Sequence, residues 1–115
     1  MQAFNKTKNE CLARDLAVAQ SFLARVKGLL GKQSIKEGEG MLLEPCYQIH
    51  TCFMKFPIDI LFIDKNLNVI KLIKNMVPFR ISGIYMRAKG ALELPSGKLE
   101  ETRTEIGDLI SFSGV

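Results

Sequence analysis

Pro57-Ile58-Asp59-Ile60-Leu61-Phe62-Ile63-Asp64-Lys65-Asn66-Leu67-Asn68-Val69-Ile70-Lys71-Leu72-Ile73 is the stretch that decides the fold. From Ile58 to Ile63 apolar residues occupy both faces of an extended chain, apart from Asp59, which predicts a central strand covered on both sides. Pro57 closes the segment before it. Asp64, Lys65, Asn66 and Asn68 are turn formers, so Val69 to Ile73 is expected to return beside the first strand as a hairpin.

Upstream of this hairpin, Tyr47 to Met54 alternates imperfectly and reads as a further strand, and Met41 to Leu43 begins another. Gly28, Gly31, Gly38 and Gly40 punctuate the preceding stretch, so Leu29 to Gly40 reads as loop and turn. A short strand is expected around Cys11 to Arg14. Leu16, Ala19, Leu23, Val26 and Leu30 then share a helical face, but Ser21 is a good N-cap. With Ser21 as the cap, Leu16 to Gln20 is extended and the helix is confined to the turns before Gly28, which is the preferred reading.

Downstream, the pattern is weak after Pro78. It recovers at Ala91 to Leu94, passes a possible helical turn with Leu99 and Arg103, and ends on a strand from Leu109 to Phe112. Short strands at this spacing predict a mostly β, compact single domain over residues 1–115, a sandwich or barrel with one or two short helices.

Composition supports an ordinary globular domain: of 115 residues, 47% are hydrophobic and 24% charged, with no low-complexity run. Residues 1–10 are polar and lack the apolar core of a secretory signal, and three cysteines do not make a disulfide framework, so the chain is expected to be cytoplasmic. No apolar run reaches the roughly 20 residues of a membrane span. The net charge of +4 is uneven: Met1 to Lys36 and Lys65 to Lys98 are basic, whereas Glu37 to Asp64 is acidic. No Arg-rich run or interleaving of aromatic and basic residues accompanies the excess, which argues for a solvated basic face and against nucleic-acid binding.

Two groups of residues could carry chemistry. Cys46, His50 and Cys52 are metal-ligand types within one segment, and a Cys-His pair could also support thiol catalysis. Their spacing does not fit a zinc knuckle, so no metal is expected. Asp59, Glu93 and Asp108 are acids in or beside apolar strands; brought together they could do acid–base chemistry, and kept apart they need arginine partners or turns to cap, with Arg25 and Arg80 as candidates. The glycines do not follow a strand and open a helix as a phosphate-binding loop requires, and the sequence calls for no cofactor.

Read together, Arg25-Val26-Lys27-Gly28-Leu29-Leu30-Gly31, Gly38-Glu39-Gly40-Met41-Leu42-Leu43, Pro45-Cys46, Ile49-His50-Thr51, Phe53-Met54-Lys55-Phe56-Pro57-Ile58-Asp59, Leu92-Glu93-Leu94-Pro95-Ser96-Gly97 and Gly107-Asp108 resemble the domain of unknown function 192 family over nearly the whole chain. The resemblance implies a compact β-rich fold and no established reaction. It also implies that some relatives are exported and that some are associated with pilus or secretion loci. Two positions depart from the pattern. Cys52 stands where phenylalanine is usual, and Leu67 where the hairpin usually has glycine, so Asn66 or Asn68 is expected to supply any left-handed residue.

The reading these residues support is a binding or accessory module for a small molecule or protein. Its polar pocket or groove is expected to involve Arg25, Cys46, His50, Met54, Asp59, Glu93 and Asp108. The alternatives are a small hydrolase or lyase using the carboxylates with His50, and a metal or redox protein built on Cys46 and His50. Converging acids would mark the enzyme; an exposed apolar patch near Met54 would mark the interaction module.

Overall fold

The computed structural model describes residues 1–19, 33–52 and 54–114. Among the described residues the strands are β1 (Gln2–Asn5), β2 (Glu10–Ala13), β3 (Asp15–Ala19), β4 (Glu39–Leu43), β5 (Ile58–Ile63), β6 (Val69–Met76), β7 (Gly90–Pro95) and β8 (Ile110–Ser113), with one short helix, α1 (Lys98–Glu101). They form two sheets, a three-stranded β2-β1-β8 and a five-stranded β3-β4-β7-β5-β6. All described pairings are antiparallel except β3 with β4. The expected mostly β architecture is present in its sandwich form; the described strands do not close a barrel.

β5 lies between β6 and β7 and is buried at every position, as its apolar sequence requires. Alternation sends its side chains into two cores. Leu61 and Ile63 join Leu92 and Leu94 of β7 and meet Ala3, Leu12, Ala13 and Ile110 of the small sheet, filling the space between the sheets. Ile58, Ile60 and Phe62 face the other way and pack with Ala91, Ile49, Met54 and Met76. Gly40, expected in a loop, lies within β4, where an added Cβ would come within 2.9 Å of Leu94 and 3.1 Å of Ala13. The close approach of the sheets there explains the glycine.

The hairpin forms as expected, but its turn does not. Leu67 itself, not either asparagine, adopts the left-handed conformation, with φ 67. The Asp64 carboxylate accepts hydrogen bonds from the backbone N–H groups of Asn66 and Asn68, while Leu67 N–H donates to the Asp64 carbonyl. That pattern fixes the turn around Leu67, whose side chain packs on the inter-sheet core. Burial offsets the strain of roughly 1–2 kcal/mol that a left-handed leucine carries.

Leu16 to Ala19 is extended within β3, in line with the preferred reading of that stretch; the helix expected before Gly28 lies outside the described residues. The described residues of 47–54 form no strand. Their ladder is reduced to one bridge, His50 with Ile81, and Met54 N–H turns back to the Thr51 carbonyl, so the expected sharing of one strand face by His50 and Cys52 does not hold. β1 was not apparent in the sequence, because its inward residues are Ala3 and Asn5 and its larger apolar residue, Phe4, is less buried.

Candidate interaction surface

The three acids occupy three separate environments. Asp59 is fully buried on the inter-sheet side of β5. Its Oδ1 accepts from Asn75 N–H at 2.8 Å, and its Oδ2 accepts from Gly97 N–H at 3.1 Å and Leu99 N–H at 2.8 Å. The carboxylate therefore ties the end of β6 to the start of α1, satisfying donors that a helix leaves unpaired. Asp108 accepts from the buried Asn5 amide at 2.8 Å and from Glu105 N–H at 2.9 Å, and Lys8 Nζ lies 2.9 Å away. Burial alone would raise its pKa; the bonds from Asn5 and Lys8 outweigh this and hold it below its ordinary value.

Glu93 is different. It pairs in register with Met41 and Ile60 and, two residues on from Ala91, points to the second core, on the opposite side of the sheet from Asp59. It is 3% exposed, and its Oε1 has no hydrogen-bond partner among the described residues. Desolvation pushes its pKa up to about 7. Asp59, Glu93 and Asp108 thus do not converge. Arg25 lies outside the described residues. Arg80, the other arginine expected to pair with an acid, instead donates to the Phe79 carbonyl at 3.4 Å and makes no ion pair among them.

Cys46, His50 and Met54 lie on the segment between β4 and β5. Met54 is buried in the second core, His50 is exposed, and Cys46 Sγ donates to the Gln48 carbonyl at 3.3 Å. His50 Nδ1 accepts from Cys52 N–H at 3.4 Å. The described residues contain no group of three His, Cys, Asp or Glu side chains placed to hold a metal ion.

This segment is fastened to the one between β6 and β7. Thr51 Oγ1 donates to the Val77 carbonyl at 2.6 Å and accepts from Arg80 N–H at 3.0 Å, while Thr51 N–H donates to the Arg80 carbonyl at 2.9 Å. Ser82 Oγ accepts from Ile49 N–H at 2.9 Å, Ser82 N–H donates to the Ile49 carbonyl at 2.8 Å, and Tyr85 N–H donates to the Tyr47 carbonyl at 2.9 Å. The Tyr85 ring packs on Phe62, with centroids 4.8 Å apart. Thr51 and Ser82 are buried, and the backbone so pinned turns the intervening large residues outward. Phe79, Ile81 and Met86 are 71%, 68% and 77% exposed, and Tyr47 and Ile84 are also exposed. Phe79 is held at φ 64, a strained backbone for an aromatic residue.

The exposed residues of 77–86 were missed because they follow neither a strand nor a helix period. The available signal was the lack of acids: Pro78-Phe79-Arg80-Ile81 and Ile84-Tyr85-Met86-Arg87 mix large apolar residues with arginine alone. A separate depression of about 450 Å³ lies between Phe4, Lys6, Glu10, Cys11 and Ser111 on the small sheet, and none of the expected site residues lines it.

Among solved structures, a protein of unknown function from Novosphingobium aromaticivorans has a similar fold, with a TM-score of 0.83 at 18% identity over 96% of this chain and 82% of that one. In sequence, the chain is 32% identical over 111 residues to a UPF0127 protein of Pyrococcus horikoshii, covering 94% of this chain and 96% of the relative. It is 30% identical over 112 residues to a UPF0127 protein of Thermococcus sibiricus, covering 94% and 72%. The model of the domain of unknown function 192 family, described as Uncharacterized ACR, matches residues 3–112, and the chain belongs to that family.

Proposed function

We propose that this chain is a non-catalytic binding module that holds its partner against the paired segments 46–52 and 77–89, with His50 at their junction. The observation that carries this reading is the exposure of Phe79, Ile81 and Met86 on a backbone fixed by Thr51 and Ser82. Large apolar side chains facing water on a hydrogen-bonded loop mark contact surfaces. The scatter of the acids supports binding over catalysis.

The test is an amide-shift NMR screen of the ¹⁵N-labelled full chain against a library of fragments and short peptides. Shifts are expected to gather on residues 47–51 and 77–87 and to disappear in a Phe79→Ser/Ile81→Ser variant whose spectrum is otherwise native. Shifts centred on Met41 and Glu93, accompanied by chemical conversion of a library member, would overturn the reading in favour of an enzyme.

A further inference from the structure

Resting on the binding surface just proposed, we infer that its partner is a protein segment carrying aromatic or aliphatic anchors flanked by acidic residues. Segments 46–57 and 77–89 contain no aspartate or glutamate, while they carry Lys55, Arg80, Arg87 and Lys89 together with His50. Lys89 reaches Glu44 at 3.8 Å. Lys55, Arg80 and Arg87 are exposed and make no ion pair among the described residues. The charged side chains of these two segments are therefore all basic, with Glu44 lying outside the segments beside Lys89.

That arrangement selects among occupants. A second copy related by a two-fold axis would set the same patch against itself, placing like charges together in a partly desolvated contact. An acidic segment instead gains charge-assisted bonds from both arginines while its anchors cover Phe79, Ile81 and Met86. Tyrosine, phenylalanine, methionine and arginine without acids are also the residues enriched at protein interfaces. An anionic membrane surface would match the charges, but it imposes no register and gains nothing from the hydrogen bonds that fix this backbone. A protein segment does gain, because ordering the loop beforehand removes part of the cost of binding.

The experiment is selection of random peptides displayed on phage against the immobilised full chain, followed by affinity measurement of the enriched sequences. Enriched peptides are expected to place acids beside aromatic or aliphatic residues. Their affinity should fall at least tenfold in Arg80→Glu/Arg87→Glu, weaken as salt is raised, and be lost in Phe79→Ser/Ile81→Ser. Peptides in which the acids are replaced by lysine should recover binding to the Arg80→Glu/Arg87→Glu variant.

Neutral or basic peptides that bind this surface would refute the charge inference and leave the binding module standing. Peptides indifferent to all four substitutions would refute both. Failure to enrich any peptide, dimerisation at micromolar concentration through these residues, or sedimentation with vesicles of phosphatidylcholine and phosphatidylserine in preference to peptide binding would each overturn the inference.

Discussion

Replacing Glu93 with glutamine should remove most of the dependence of stability on pH between mild acid and neutrality. The unfolded chain titrates this carboxyl near its ordinary 4.5, whereas desolvation moves it to about 7 in the folded protein. Between those values the folded state holds a proton that the unfolded state has lost. Stability is therefore complete below 4.5 and falls as pH rises towards 7, by about 1.4 kcal/mol per unit, and levels off above it. Across that interval the loss is of the order of 3 kcal/mol, a large part of the stability of a small domain. Urea unfolding followed by far-ultraviolet circular dichroism at pH 4.5, 6 and 8 reads it directly, and His50→Gln in both proteins removes the single histidine from the comparison. Wild type should lose about 3 kcal/mol from the lowest pH to the highest relative to Glu93→Gln. Equal slopes in the two proteins would show that the folded carboxyl is solvated or paired, and the reasoning from its burial between Met41 and Ile60 would fail.

Other substitutions separate scaffold from surface. Asp59→Ala leaves the N–H groups of Asn75, Gly97 and Leu99 without their acceptor and should cost roughly 3–5 kcal/mol in chemical denaturation, with Asp59→Asn intermediate. At position 67, glycine should be more stable than alanine by about 1 kcal/mol in thermal melts, since both lose the same packing but only glycine accepts φ 67 without strain. Asp108→Asn should destabilise the protein at neutral pH, and the difference from wild type should shrink as pH falls through the lowered pKa of the native carboxylate, as measured by denaturation at pH 7 and pH 3. Phe79→Ser should leave the melting temperature unchanged or raise it, because it removes a strained, exposed aromatic and no core contact.

What could be read from the sequence follows from how each segment meets water. β5 and β6 are legible because the two cores draw on every residue of β5 except Asp59, and a sequence so rich in apolar residues on both faces has few other ways to be buried. β1 is illegible for the opposite reason. Asn5 points inward because Thr104 and Asp108 await its amide, a partnership between residues about a hundred positions apart that no local pattern can signal. The turn at Leu67 was misread for a related reason: residue preference favoured an asparagine, but the Asp64 bonds and the inter-sheet core set the conformation. The acids show the same limit more sharply. Asp59 and Glu93 look alike in sequence, each flanked by large aliphatics on a buried strand, yet one meets three N–H groups and the other has an Oε1 with no partner among the described residues. The difference lies in which side of the sheet each residue faces. Asp59 faces the side where α1 begins, so its charge is spent on backbone donors. Glu93 faces the second core, where the described neighbours offer methyl groups. The same sheet therefore carries one acid as a structural anchor and another whose burial raises its pKa, while the exposed Phe79, Ile81 and Met86 proposed for recognition contribute to neither core.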